Sequence, residues 1–396
     1  MTKVLRIINR FNLGGPTYNV AYLAKYMAPE YETILAGGEK DTSEASSDYI
    51  VKQLDLHPVV IAEMRRSINP FNDYKAYKKI KALIKEHRPD IVHTHASKSG
   101  ALGRLAAYHC KVPVIVHTFH GHVFHSYFNP LVTRVFKIIE RYLANRSHAI
   151  IAISELQKQE LVNEHHICSE EKVHVIPLGF DLERFYTNID HKRTEFRKAW
   201  NIEANELVVM IIGRLVPIKN HELFLRGVAQ VKQKCGVAFR AVIVGDGESR
   251  GSLEKICEEL QLSYSGSGAA RTEVLFTSWI READVALAGA DIVCLTSWNE
   301  GTPVSLIEAQ AAGKPIVTTA VGGVENVVIP NETAFCVTPG DTNQFSAQLE
   351  KLVVSSDLRA RLAMKGREHV MKKFHYTRLV NDMKSLYERL LSHRKR

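Results

Sequence analysis

Short apolar runs rich in Val and Ile alternate with helix-length amphipathic stretches from one end of the chain to the other, and this alternation constrains the fold more than any single residue. A strand that is apolar on both faces belongs inside a parallel sheet, and parallel neighbours need helical crossovers between them. The expected class is therefore α/β, with doubly wound parallel sheets. Strands are expected near Val4–Ile8, Glu32–Ala36, Val59–Ala62, Asp90–His93, Val114–His117, His148–Ile153 and Val173–Ile176. A second series follows near Leu207–Ile212, Arg240–Val244, Val274–Phe276, Ile292–Leu295, Pro315–Thr318 and Thr333–Val337. Two series imply two domains, 1–187 and 188–374, with a final segment 375–396. A length of 396 residues agrees, at roughly 150 residues per domain. The junction is expected from Leu178-Gly179-Phe180-Asp181 through about Asn205, where charged residues such as His191-Lys192-Arg193 suit a linker. The small polar stretch from Ser263 to Ala270 has nothing to bury and is expected as a mobile surface loop.

Apolar content of 45% with 24% charged residues is average for a globular protein and excludes disordered and fibrous classes. The formal charge of +9 is spread over both halves without a helix-turn-helix or RNA-binding signature, which favours an anionic ligand or membrane face and argues against nucleic acid. Six scattered cysteines without a CxxC pair read as reduced, packed thiols. No apolar run approaches the roughly 18 residues of a spanning helix, so a cytoplasmic protein with at most peripheral membrane contact is expected.

The segment Trp298-Asn299-Glu300-Gly301-Thr302-Pro303-Val304-Ser305-Leu306-Ile307-Glu308-Ala309 follows an expected strand and carries a carboxylate at each end of a Gly/Pro loop entering a helix. Helix-start N–H groups attract a phosphate, while carboxylates accept hydrogen bonds from sugar hydroxyls. A nucleotide-sugar has both parts. The strand Leu207–Ile212 runs into Gly213-Arg214-Leu215-Val216-Pro217-Ile218-Lys219-Asn220, placing Arg214 and Lys219 at the carboxyl end of a strand, where ligands of doubly wound sheets bind. Alone these two read better as solvated surface cations; beside the Glu300 to Glu308 segment they read as phosphate partners.

Gly14-Gly15-Pro16 after the first strand suits either a close backbone approach to a ligand or a tight turn, and the absence of G-x-G-x-x-G argues against NAD. Gly245-Asp246-Gly247 is read mainly as a turn that borders the ligand. Histidines cluster at His93, His95, His117, His120, His122 and His125, yet their spacings match no helical ligand pair, so no metal is assigned. His120, before Gly121, is the best placed to hydrogen-bond a sugar hydroxyl. No Asp-x-Asp occurs, so protein cations must neutralise a leaving diphosphate. The basic amphipathic stretch Tyr74 to His87 suits core packing with a solvated face better than anionic lipid, and the aromatic run Val123 to Phe128 suits either an acceptor or lipid face or the interior.

With Gly14-Gly15, His120, Gly213-Arg214, Lys219, Gly245-Asp246-Gly247 and the Glu300/Glu308 pair in this order, nearly the whole chain resembles the GT4 family of retaining glycosyltransferases. The phrases Pro89-Asp90-Ile91-Val92-His93-Thr94-His95 and Glu308-Ala309-Gln310-Ala311-Ala312-Gly313-Lys314-Pro315 are also similar to that family. The resemblance implies a GT-B fold of two Rossmann-like domains facing an inter-domain cleft. Acceptor would bind the first domain and nucleotide-sugar the second, and the helix from about Tyr376 to Arg394 would cross back onto the first. By the same resemblance Arg214 and Lys219 hold the diphosphate, Glu308 the ribose hydroxyls, and Glu300 with the backbone of Gly301, Thr302, Pro303 and Val304, continuing through Ser305 and Leu306, the sugar. His120 would lie by the anomeric centre, and Trp279 and Ile280 by the base.

The implied reaction moves a hexose or N-acetylhexosamine from a UDP-sugar, UDP-GlcNAc or a UDP-hexose, to a saccharide or lipid-linked acceptor. Anomeric configuration is retained and no metal or other cofactor takes part. Surface polysaccharide or glycoconjugate synthesis is the expected setting. The rival readings are a nucleotide-sugar epimerase or hydrolase of the same architecture, such as a UDP-sugar 2-epimerase, and a catalytically silent nucleotide-sugar binder.

Overall fold

The computed structural model describes residues 1–11, 15–39, 48–65, 67–121, 130–268 and 270–393. The chain forms two compact units, one of Met1–Phe180 with Phe374–Arg396 and one of Asp181–Lys373. In chain order the first holds β1 (Thr2–Arg10), α1 (Gly15–Tyr26), β2 (Tyr31–Gly38), α2 (Asp48–Gln53), β3 (Val59–Val60), α3 (Pro70–His87), β4 (Ile91–His95) and α4 (Ser97–His109). It continues with β5 (Val114–Thr118), α5 (Pro130–Asn145), β6 (Ala149–Ala152), α6 (Glu155–Gln159) and β7 (Val173–Val175). The second holds α7 (Ile189–Ala199), β8 (Leu207–Ile212), α8 (His221–Lys234), β9 (Phe239–Val244), α9 (Arg250–Glu259), β10 (Tyr264–Ser265), β11 (Val274–Ser278) and α10 (Ala283–Gly289). Its remaining elements are β12 (Ile292–Leu295), α11 (Val304–Ala311), β13 (Ile316–Thr319), β14 (Ala334–Val337), α12 (Thr342–Val354) and α13 (Ser356–Phe374). Helix α14 (Tyr376–Ser392) closes the chain.

Each unit has one seven-stranded sheet, ordered β3-β2-β1-β4-β5-β6-β7 and β10-β11-β9-β8-β12-β13-β14, and the strand pairs within them run parallel. The central strands β4, β5, β6, β9, β12 and β13 are buried along their whole length, with Val, Ile, Leu and Ala forming most of them and a few buried polar residues such as His93, His95 and His117. Strand order reverses once in each sheet, between β1 and β4 and between β8 and β12. Crossovers diverge at such a point, so loops leaving the strands' carboxyl ends border a crevice there.

In the first unit one face of the sheet packs on α1 and α14: Leu379, Val380, Met383, Leu386 and Tyr387 share a core with Val4, Leu23, Met27, Ile91, Val116 and Ile151. The other face packs on α3 and α4 through Ala76, Ile80, Ile84, Ala106 and Ala107. The apolar stripe of α3 is thus buried, as its pattern suggested. Val123 to Phe128 lies outside the described residues.

Two expectations are corrected. The stretch from Ser263 to Ala270 is not a loop throughout, because Tyr264–Ser265 is the edge strand β10, in parallel register with Val274 and Leu275. The expected linker contains α7. Three of its cations are paired within the unit: Lys192 with Asp284, and Arg193 and Arg197 each with one oxygen of Asp291 at 2.8 Å. Asp291 also accepts from the Val208 amide, which ties the helix to the first strand of its sheet.

Candidate functional site

In the second unit the loops after β8 and β12 leave adjacent strands at the reversal of strand order, and hydrogen bonds lock them together. The Trp298 amide donates to the Ile218 carbonyl at 2.8 Å, and the Thr296 hydroxyl donates to the carbonyls of Asn220 and Lys219. Asn220 sits in the left-handed region at φ 48° and accepts from the Leu223 amide, ending one turn and starting α8. These bonds bring Lys219 to Glu300: the Lys219 ammonium and the Ser297 hydroxyl both donate to one Glu300 carboxylate oxygen at 2.6 Å. Glycines shape the floor. A Cβ on Gly323 would stand 1.7 Å from the Gly301 carbonyl oxygen, so only glycine lets the turn after β13 approach the Glu300 loop.

Arg214 is exposed just after β8, and among the described residues its guanidinium makes no hydrogen bond or ion pair. Gly213 and Gly245 pack backbone to backbone: at φ +143° Gly245 would carry a Cβ 1.9 Å from the Gly213 carbonyl oxygen. Asp246 is engaged within this turn, accepting from the Gly247 amide and the Ser278 hydroxyl at 2.8 Å, which holds its carboxyl below the usual range. Trp279 is 62% exposed and Ile280 is half-buried, both just beyond β11.

Helix α11 begins at Val304 after Pro303, with no side-chain cap, so its first N–H groups are left to solvent or ligand. Gly301 is open, Thr302, Val304 and Ser305 are half-buried, and Pro303 and Leu306 are buried, Leu306 pointing into the core. Glu308, one turn on, is 20% exposed and lies 3.8 Å from Arg184. Burial pushes its carboxyl up to about 7 against the opposing pull of Arg184. Ser297, Gly323 and Arg184 escaped the sequence reading: the first two lie in turns without charge, and Arg184 reaches Glu308 from a short 3-10 turn far away in sequence.

In the first unit, the parallel register of β4 and β5 collects the histidines. His93 and His95 share a strand face and stack at 4.2 Å, and His95 stacks on His120 at 5.2 Å with Nδ1 of His95 2.9 Å from Nε2 of His120. The Arg6 guanidinium and the Tyr387 hydroxyl both reach Nδ1 of His93, at 2.9 and 2.7 Å. Arg only donates, so that nitrogen accepts, and the proton sits on Nε2, which donates to Thr118 Oγ1 at 2.7 Å. Burial holds His93 and His95 well below the usual 6.5 and pushes His120 down to about 3, so the stack is neutral. His117 faces the other way, toward Thr94 and the helix α4, where a Cβ on Gly100 would meet it at 2.4 Å. Among the described residues no group of three or more His, Cys, Asp or Glu side chains is arranged to hold a metal ion. Gly15 opens α1; Gly14, His122 and His125 lie outside the described residues.

Comparison with known proteins bears on both units. Residues 13–184 match the family described as Glycosyltransferase Family 4, and residues 192–369 match Glycosyl transferases group 1. The Escherichia coli UDP-Gal:alpha-D-GlcNAc-diphosphoundecaprenol alpha-1,3-galactosyltransferase is 30% identical over 81% of this chain and 81% of its own. The chain belongs to glycosyltransferase family 4. The Staphylococcus aureus capsular polysaccharide biosynthesis glycosyltransferase CapM is 25% identical over 86% of this glycosyltransferase and 87% of its own length. Among solved structures, Anabaena HepE in complex with UDP superposes with a TM-score of 0.80 at 18% identity, covering 98% of this chain and 100% of that one. A Rickettsia africae glycosyltransferase gives 0.80 at 19% identity, covering 98% of each. The fold of this glycosyltransferase is GT-B, with two Rossmann-like domains.

Proposed function

We propose that this glycosyltransferase moves a hexose or N-acetylhexosamine from a UDP-sugar to a saccharide or lipid-linked acceptor, with retention and without a metal ion. The observation that carries the reading is the contact of Lys219 with Glu300 at the reversal point of the second sheet. A cation and a carboxylate meeting beside an uncapped helix start suit a ligand with a diphosphate and a polyhydroxylated sugar. Arg214 and Lys219 bind the diphosphate, and Glu308 accepts from the ribose hydroxyls. Glu300 and the backbone of Gly301 to Val304 hold the sugar, and the exposed ring of Trp279, with Ile280, meets the base. As the C1–O bond to the diphosphate breaks, positive charge grows on the sugar ring and negative charge on the leaving oxygens, where the two cations oppose it. The acceptor oxygen bonds to C1 from the same face and its proton passes to a leaving phosphate oxygen. His120, neutral in its stack, hydrogen-bonds the sugar beside C1.

The Escherichia coli relative, named for a diphosphoundecaprenol-linked acceptor, favours a lipid-linked substrate and hence surface polysaccharide synthesis at the inner face of the membrane. Six free thiols suit a reducing cytoplasm. Incubation of UDP-sugars with and without lipid-linked saccharides, in EDTA, is the test. Acceptor-dependent UDP release supports transfer without a metal, whereas sugar isomerised in the absence of acceptor would favour an epimerase, and tight UDP binding with no turnover a silent binder.

A further inference from the structure

Glu308 differs from Glu300 in what holds it. One oxygen of Glu300 is filled by Lys219 and Ser297, whereas among the described residues no hydrogen bond reaches the Glu308 carboxyl group. The cation that faces it, Arg184, stands at 3.8 Å, close enough to act through charge and too far to donate. Arg184 is fixed there by its own turn. Its guanidinium lies 4.8 Å over the ring of Phe185, which is buried. Its carbonyl accepts from the Lys192 ammonium at 2.5 Å, and Lys192 pairs with Asp284 at 2.8 Å. Asp284, on α10, acts on Glu308 with the sign opposite to Arg184. Glu183, the other acid of the turn, is exposed, and strands β12 and β13 bring no charged side chain against α11.

We propose that Arg184 is a positioning residue for the nucleotide: it keeps Glu308 an open carboxylate, charged but with its oxygens free to accept from the ribose hydroxyls. The inference rests on the reading of Glu308 as the ribose partner, and adds the residue that readies it and a dependence of nucleotide binding on pH. An ionised carboxylate only accepts, and its bonds to hydroxyls are charge-assisted, whereas the protonated acid gives up one oxygen to its own proton. An arginine in fork contact would occupy the oxygens that the ribose needs. At 3.8 Å it supplies the charge and leaves them open. Burial pushes the Glu308 carboxyl up to about 7 against the pull of Arg184, so its charge is balanced near neutrality. Affinity for the nucleotide therefore rises as pH rises through that value, because the form that binds is the one that has lost its proton. Without Arg184 the same burial acts with less opposition, and the carboxylate form recedes to higher pH.

The test is isothermal titration of the purified full chain with UDP across about pH 6–9. The ionisation of UDP itself is common to every variant and drops out of each ratio to wild type. Thermal unfolding without ligand reports the fold of each variant. Arg184→Gln should move the midpoint up by about one unit or more, which means about fivefold weaker binding at about pH 7 and little loss at about pH 9. Arg184→Lys keeps the charge and should restore most of the affinity. Asp284→Asn should move the midpoint down without touching Arg184, and a role of the turn in packing alone would not separate the two substitutions by sign. Glu308→Gln cannot titrate and should bind weakly with no midpoint of its own. If Glu308→Gln removes the pH dependence while Arg184→Gln keeps the wild-type midpoint, or loses affinity equally at every pH, the proposal is overturned and the ribose reading stands. If Glu308→Gln binds UDP as tightly as wild type well above neutrality, the ribose reading is lost and the proposal goes with it.

Discussion

Lys219 and Glu300 neutralise each other, so a nucleotide-sugar bound as proposed would have to separate or share a pair that is already made. Under the proposed function, a diphosphate would offer Lys219 a doubly charged partner and free Glu300 for sugar hydroxyls. Lys219→Ala or Arg214→Ala should lower kcat by about 10²–10³, as expected for loss of one stabiliser of developing negative charge, and steady-state assays check it. Glu308 gives a signed pH dependence. Its carboxyl titrates near 7 in the fold against the usual 4.5, so the folded protein holds that proton more tightly than the unfolded chain. Its contribution to stability is full below 4.5 and is lost as pH rises through about 7. The melting temperature of the wild type should therefore fall relative to that of Glu308→Gln across this window. A constant difference between the two would contradict the burial argument. In the first unit, Tyr387→Phe removes one of two donors to His93 and should destabilise by about 1 kcal/mol in urea unfolding, with Arg6 still holding the ring.

At the scale of elements, α7 and the Glu300 loop are both held by contacts far away in sequence. Asp291→Ala strips Arg193, Arg197 and the Val208 amide of a partner at once. A loss of about 3–5 kcal/mol is expected, with hydrogen exchange rising first in α7. Gly323→Ala forces the turn after β13 away from Gly301 and should weaken UDP binding more than it lowers the melting temperature. The Val- and Ile-rich strands were legible because burial on both faces leaves an apolar run that no polar alternation interrupts. β10 was not, because a two-residue edge strand is fixed by its neighbour β11 and by nothing in its own composition. The charged run of α7 suited a linker because the acidic partners of Lys192 and Arg193 lie more than 90 residues downstream, where Asp284 and Asp291 stand.

For the whole molecule, the last helix is core rather than appendage. Leu379, Met383, Leu386 and Tyr387 fill the first unit from the opposite end of the sequence. Ending the chain after Phe374 should therefore strip hydrogen-exchange protection from β4, β5 and β6 while leaving β8, β9 and β12 protected, and loss of protection in both units alike would refute a role confined to the first. The amino-acid sequence by itself determined the α/β class, nearly every strand and the neighbourhood of Lys219, Glu300 and Glu308, because periodicity and strand-end loops are local properties. The tertiary structure alone decided that Ser297 joins Lys219 on Glu300, that Arg184 faces Glu308, and that the histidines stack beneath Tyr387. Each of these joins residues distant along the chain, whose meeting no local spacing specifies.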